Sequence, residues 1–159
     1  VRSVALDANI IVSGSKDRTI NVWDRKHTYN TLEPLAAHTR TVYSVALDAN
    51  IIVSGSEDKT IKVWDRDNNY NLIKTLTGHR YHVESVALDA NIIVSGSYDR
   101  TIKVWDRKDN YNLSKTITGH TSYVFFVALD ANIIISGSYD TTGSRDKTIR
   151  VWDRKCEGI

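Results

Sequence analysis

Histidine, serine, aspartate and tryptophan recur together along this 159-residue chain: His38, Ser54, Asp58 and Trp64; His79, Ser95, Asp99 and Trp105; His120, Ser136, Asp140 and Trp152. A serine nucleophile, a histidine base and an orienting aspartate are the parts of a hydrolytic triad. That chemistry would need three active sites in tandem, and no Gly-x-Ser-x-Gly turn is present to strain and expose a nucleophile. A hydrogen-bond network that rigidifies a repeated unit needs fewer assumptions, provided every buried member is satisfied. In the fourth set two registers stay open. Asp140 keeps the distance to Ser136, whereas Asp146 keeps the distance to Trp152. An earlier set, Ser13, Asp17 and Trp23, has no histidine.

The elements that must hold these residues follow from a repeat. Val-Ala-Leu-Asp-Ala-Asn-Ile-Ile starts at Val4, Val45, Val86 and Val127, in steps of 41 residues. Each copy runs on through Ser-Gly-Ser to Thr-Ile-x-Val-Trp-Asp-Arg, and the fourth carries six extra residues before its Trp. Within a copy, Ser44–Leu47, Ile51–Ser54, Thr60–Asp65 and Leu72–Thr77 read as short strands rich in β-branched residues, broken at Asp48-Ala49-Asn50 and at Gly55–Lys59. One strand in about ten residues is the spacing of an all-β array. A sheet this small must stack on its neighbours, and radial stacking of four-stranded sheets makes a β-propeller.

The closing Trp-Asp pairs, together with Gly78-His79, Gly119-His120 and Ser-Gly-Ser-x-Asp, make the chain resemble the WD-repeat β-propeller family over its whole length. The resemblance implies an all-β propeller segment over 1–159, with repeats at about 1–38, 39–79, 80–120 and 121–159. It implies that each His-Ser-Asp-Trp set is a structural chain inside one blade. Ala37 stands where the glycine before His38 is expected, so the first loop is expected to be set differently. The family usually has seven blades; four visible blades, with no Met and a last copy ending after its third strand at Asp153, suggest an open or incomplete propeller cut from a longer chain. Its uncapped apolar flanks are expected to self-associate, and two chains would make eight blades.

Positions that differ between near-identical copies mark a candidate binding surface. They are Lys16, Glu57, Tyr98 and Tyr139 before the turn aspartate; Arg2, Tyr43, Glu84 and Phe125 entering the first strand; and Thr41, His82 and Tyr123 two residues earlier. In the resembled family these columns line the top rim around the central channel, where protein and peptide partners dock. Five aromatic rings stand among them, and aromatic side chains anchor interfaces. The segment Thr141–Asp146 would lengthen a turn on that face. Lys62, Lys103 and Arg150 are expected on a solvated sheet flank, and Tyr70 and Tyr111 to pack structurally in loops on the opposite face.

With 21 basic and 19 acidic residues, net charge +2, 41% apolar and 25% charged residues, the chain is neither disordered nor collagen-like nor a polybasic nucleic-acid binder. No apolar run approaches a membrane span. The lone Cys156 reads as a free tail thiol, which favours an intracellular, cytoplasmic or nuclear setting. No phosphate-cradling glycine loop or metal-ligand spacing is present, so no cofactor or metal is expected. The expected function is a non-catalytic interaction scaffold binding protein or peptide on the rim. The alternatives are a substrate receptor of F-box/WD-repeat type reading phosphorylated peptides, a sensor domain of a larger signalling ATPase and, remotely, a serine hydrolase.

Overall fold

The computed structural model describes residues 1–26, 34–36, 38–139 and 146–155. Every regular element in them is a strand: β1 (Ser3–Leu6), β2 (Ile10–Gly14), β3 (Ile20–Asp24), β4 (Val42–Leu47), β5 (Ile51–Ser56), β6 (Ile61–Asp65), β7 (Leu72–Leu76), β8 (Val83–Leu88), β9 (Ile92–Ser97), β10 (Ile102–Asp106), β11 (Asn112–Ile117), β12 (Val124–Leu129), β13 (Ile133–Ser138) and β14 (Ile149–Asp153). They form four antiparallel sheets in chain order, β1-β2-β3, β4-β5-β6-β7, β8-β9-β10-β11 and β12-β13-β14. Ile20 and Leu35 exchange backbone hydrogen bonds, a bridge where the first blade's fourth strand would lie. Ala37 and Cys156 lie outside the described residues.

The strands run further than their apolar runs. β4 begins at Val42 and β5 continues to Ser56, because Val42 still pairs with Ser56 and Gly55 with Ile61. At the first hairpin of every blade the aspartate side chain supplies the turn. Asp48 Oδ1 accepts from the amides of Asn50 at 2.8 Å and Ile51 at 2.9 Å, and Asp7, Asp89 and Asp130 do the same in their copies. Further along, Asn69-Tyr70 and Asn110-Tyr111 each take two successive positive φ values, closed by an Asn71 N–H to Asn68 O bond and its counterpart at Asn112. Both tyrosines pack against the apolar clusters as structural residues.

The core lies between sheets. Ile51, Val53, Ile61 and Val63 of the second sheet pack against Val83, Val86, Ile93 and Trp105 of the third, and equivalent clusters join the first sheet to the second and the third to the fourth. Close approach depends on the glycine of Ser-Gly-Ser. A Cβ on Gly96 would stand 2.7 Å from Val124 Cγ1 and 3.0 Å from Val127 Cγ1, and Gly55 is as tightly met by Val83 and Val86. Charged ties reinforce the stack: Arg66 reaches back to Asp7 at 2.7 Å, Arg107 to Asp48 at 2.5 Å and Arg154 to Asp89 at 2.6 Å. Each guanidinium is buried and also donates to the carbonyl of its own blade's turn aspartate, which satisfies more of its N–H groups.

Candidate functional site

Two constellations come together, one inside each of the second, third and fourth blades and one across blades. In the first, His79 Nδ1 lies 2.8 Å from Asp99 Oδ2, His79 Nε2 lies 2.8 Å from Ser95 Oγ, and Trp105 Nε1 lies 3.0 Å from the same Oγ. A carboxylate only accepts, so Nδ1–H donates to Asp99 and Nε2 must accept. Ser95 then donates its hydroxyl proton to Nε2 and accepts from the indole, and every group is satisfied. His38, Ser54, Asp58 and Trp64 repeat this geometry. Burial pushes the Asp58, Asp99 and Asp146 carboxyls up. Hydrogen bonds from the histidine, a threonine hydroxyl and a backbone amide outweigh it and hold all three far below the usual carboxylate range.

In the fourth blade the acceptor is Asp146, 2.8 Å from His120 Nδ1. This corrects the register that placed Asp140 there; Asp140 and the residues through Arg145 lie outside the described residues. Ser136 and Trp152 complete the set at 2.7 and 2.8 Å. In the first blade, Ser13 Oγ is buried without a hydrogen-bond partner. Gly78 and Gly119, which precede two of the histidines, have φ of 147° and 146°, a conformation costly for a residue with a side chain.

The Ser-His-Asp connectivity is that of a triad, but its surroundings oppose nucleophilic chemistry. Ser54, Ser95 and Ser136 are wholly buried, and the indole N–H occupies the hydroxyl oxygen that would attack. No substrate carbonyl can approach within reacting distance. Among the described residues, no group of three or more His, Cys, Asp or Glu side chains is disposed to hold a metal ion.

The second constellation is the row of variable residues. β-Bulges between Val42 and Ser44, Val83 and Ser85, and Val124 and Phe126 free Tyr43, Glu84 and Phe125 from strict pairing, a device that re-aims side chains. The rings then join across blades. The Arg2 guanidinium stands 5.8 Å from the Tyr43 ring centre, Tyr43 is 6.2 Å from His82, and His82 is 5.4 Å from Tyr98. Tyr98 stacks on Tyr123 at 4.0 Å and meets Phe125 edge-on at 5.5 Å, and Phe125 meets Tyr139 at 5.7 Å.

Glu57 pairs with Arg40 at 3.3 Å and is also hydrogen-bonded by Thr41, a residue that is buried; Lys16 is exposed and joins none of these ring contacts. Burial pushes the Glu84 carboxyl up to about 7, with Arg2 drawing it down and Glu57 pushing it further up.

A cleft of about 450 Å³ opens beside the stacked tyrosines, lined by Arg80, Tyr81, Tyr98, Asp99, Arg100 and Tyr123. Arg80, Tyr81 and Arg100 were not anticipated. The column Arg40, Tyr81, Ser122 varies as strongly as those chosen and could have marked Tyr81. Lys62 and Lys103, expected in solvent, are instead buried, their ammonium groups donating to Thr75 and Thr116 on the neighbouring strand.

Four antiparallel sheets stacked in chain order, each tied internally by a Trp-Ser-His-Asp chain where its histidine is present, define an open β-propeller. The profile of the WD domain, G-beta repeat, matches residues 1–24, 29–65, 70–106 and 111–153, and the chain belongs to this WD40 family. Among solved structures, the computationally designed protein Ika4 is similar at 36% identity, with a TM-score of 0.81 over 96% of this chain and 89% of its own. U3-55K and the WD40 repeats of RRP9 are each similar at 27% identity, with a TM-score of 0.83 over 95% of this chain. The chain spans 48% and 47% of those two, and 45% of the designed Ika8 protein. No curated protein sequence matches significantly.

Proposed function

We infer that this chain is a non-catalytic scaffold that captures a protein or peptide on the aromatic row running from Arg2 to Tyr139. The observation that carries this reading is the stack of Tyr98 on Tyr123 at the mouth of the cleft, with Phe125 and Tyr139 continuing the surface. Tyrosine offers large contact area with only two rotors to freeze, and aromatic side chains are among those that dominate interface energetics. The variable columns carry different side chains in each copy, so no one residue type at these positions is common to all the blades.

Peptides selected from a random displayed library against the chain test this. Tyr98→Ala combined with Phe125→Ala should weaken the selected peptides at least a hundredfold while leaving the thermal melt in place. Selected binders indifferent to the double substitution would contradict the reading, and a collapsed melt would make the pair core residues.

A second reading, the phosphorylated-peptide receptor, is favoured by Arg80 and Arg100 at the cleft, where guanidinium forks suit phosphate. Glu57 opposes it, and so does Glu84 in its ionised form, although burial pushes the Glu84 carboxyl up and weakens that opposition. Phosphorylated and unphosphorylated versions of the selected peptides distinguish the two readings.

A further inference from the structure

Next to His79 in the third blade lies a second cleft, of about 230 Å³, lined by Gly78, Arg80, Asp99, Thr101, Lys103 and Thr116. It shares only Arg80 and Asp99 with the cleft beside the stacked tyrosines. Lys103 is 8% exposed, and its ammonium donates to Thr116 Oγ1 at 2.8 Å. An ammonium has three N–H donors, so two remain, and Thr116, which accepts here, keeps a hydroxyl proton to give. Burial draws the Lys103 ammonium below its usual range; Asp99 lifts it, and the neighbouring Arg80 guanidinium lowers it again. The two cations are therefore close enough to repel.

Neither cation is neutralised within the blade. Among the described residues, the arginines in ion pairs with carboxylates are Arg40, Arg66, Arg107 and Arg154, and Arg80 is not one of them. Asp99 is already engaged: its Oδ2 accepts from His79 and from the Arg80 amide, and its Oδ1 from the amide and hydroxyl of Thr101. The arrangement is particular to the third blade. In the place of Arg80 the second and fourth blades carry Thr39 and Thr121, and in the place of Lys103 the first carries Asn21 and the fourth Arg150. The second blade repeats the pair of lysine and threonine, Lys62 to Thr75 at 2.9 Å, without the arginine. Arg80 thus adds a cation that the hydrogen bonding of the blade does not use.

We propose that this cleft binds a phosphate-class oxyanion, held between the Arg80 guanidinium and the Lys103 ammonium, with the Thr116 hydroxyl as a further donor. The guanidinium offers a planar fork of N–H groups that matches two phosphate oxygens, and the ammonium acts as a point charge. Gly78 leaves the approach open, since a Cβ there would stand 3.8 Å from Lys103 Cε, at ordinary contact with the lysine stem. The site is separate from the aromatic row. Arg100 lines the tyrosine cleft and not this one.

Isothermal titration of inorganic phosphate into the 159-residue chain, in chloride buffer at constant ionic strength, should show one saturable site per chain. Arg80→Thr and Lys103→Asn, each introducing the residue another copy carries, should weaken it at least tenfold with the thermal melt in place. Arg100→Ala should leave it unchanged. Thr39→Arg sets a guanidinium beside Lys62 in the second blade and should raise the stoichiometry to two. Methyl phosphate, titrated alongside, distinguishes an ester-borne phosphate from the free ion by which of the two binds more tightly. Absence of saturable binding, a dissociation constant unmoved by Arg80→Thr and Lys103→Asn, equal weakening by Arg100→Ala, or a stoichiometry still at one in folded Thr39→Arg would each overturn the site. None of these readouts involves the peptides selected on the aromatic row, so the two proposals fail separately.

Discussion

Replacing Trp105 with alanine is expected to destabilise the fold by about 3–5 kcal/mol, the range for removing a large buried aromatic. Two losses add here. The ring is 3% exposed and fills the junction between the second and third sheets among Ile61, Val63, Val83 and Val86, so its removal opens a cavity that rigid strands cannot collapse. Its N–H also donates to Ser95 at 3.0 Å, and without it the buried serine loses a partner. Small domains are held by only about 5–15 kcal/mol, so this one change removes a large fraction of the total. Trp105→Phe keeps most of the volume and loses the donor, and should cost about 1–2 kcal/mol. Urea unfolding followed by circular dichroism checks both, and a Trp105→Ala midpoint equal to that of the parent would contradict the role of the junction.

Gly96→Val is expected to cost about 3 kcal/mol or more, through overpacking rather than lost contacts. The backbone at Gly96 does not take a positive φ, so the penalty is not conformational. It comes from the 2.7 and 3.0 Å approach of Val124 and Val127, which would have to retreat together with the whole fourth sheet. Gly137 provides an internal comparison. There the obstacle is the far end of the Phe126 ring, which can rotate into solvent, so Gly137→Val should cost clearly less. Equal losses in the two melts would mean that the glycine is not what admits the next blade.

The repeat and its strands were legible in the sequence because nearly every copy keeps the same step, and each Leu-Asp-Ala-Asn-Ile carries its own turn chemistry. Legibility failed where the step breaks or where a contact crosses between copies. The six-residue insertion left Asp140 and Asp146 equally placed. Asp146 wins because Asp-Lys-Thr148-Ile matches the Asp-x-Thr-Ile of the other copies, with the Thr148 hydroxyl bonding the same carboxylate that receives His120. The Arg-Asp ties join residues far apart in sequence and in different blades, and nothing within one copy indicates that its arginine serves its predecessor's aspartate. Lys62 and Lys103 defeated the charge rule because their stems lie buried along the sheet while the ammonium groups find threonine oxygens.

The aromatic row was legible as a set of variable positions, but the bulges that gather it were not. They arise from a one-residue mismatch between neighbouring strands that no single strand displays.

Hydrogen exchange at the four indole N–H groups, followed by NMR, tests most directly that the His-Ser-Asp-Trp sets are satisfied structural chains. The indole protons of Trp64, Trp105 and Trp152 are bonded to Ser54, Ser95 and Ser136, whereas Ser13, the matching serine for Trp23, has no hydrogen-bond partner. Trp64, Trp105 and Trp152 should exchange slowly, through opening of the blade, and Trp23 at least tenfold faster. Four indoles exchanging at one common rate would contradict the account.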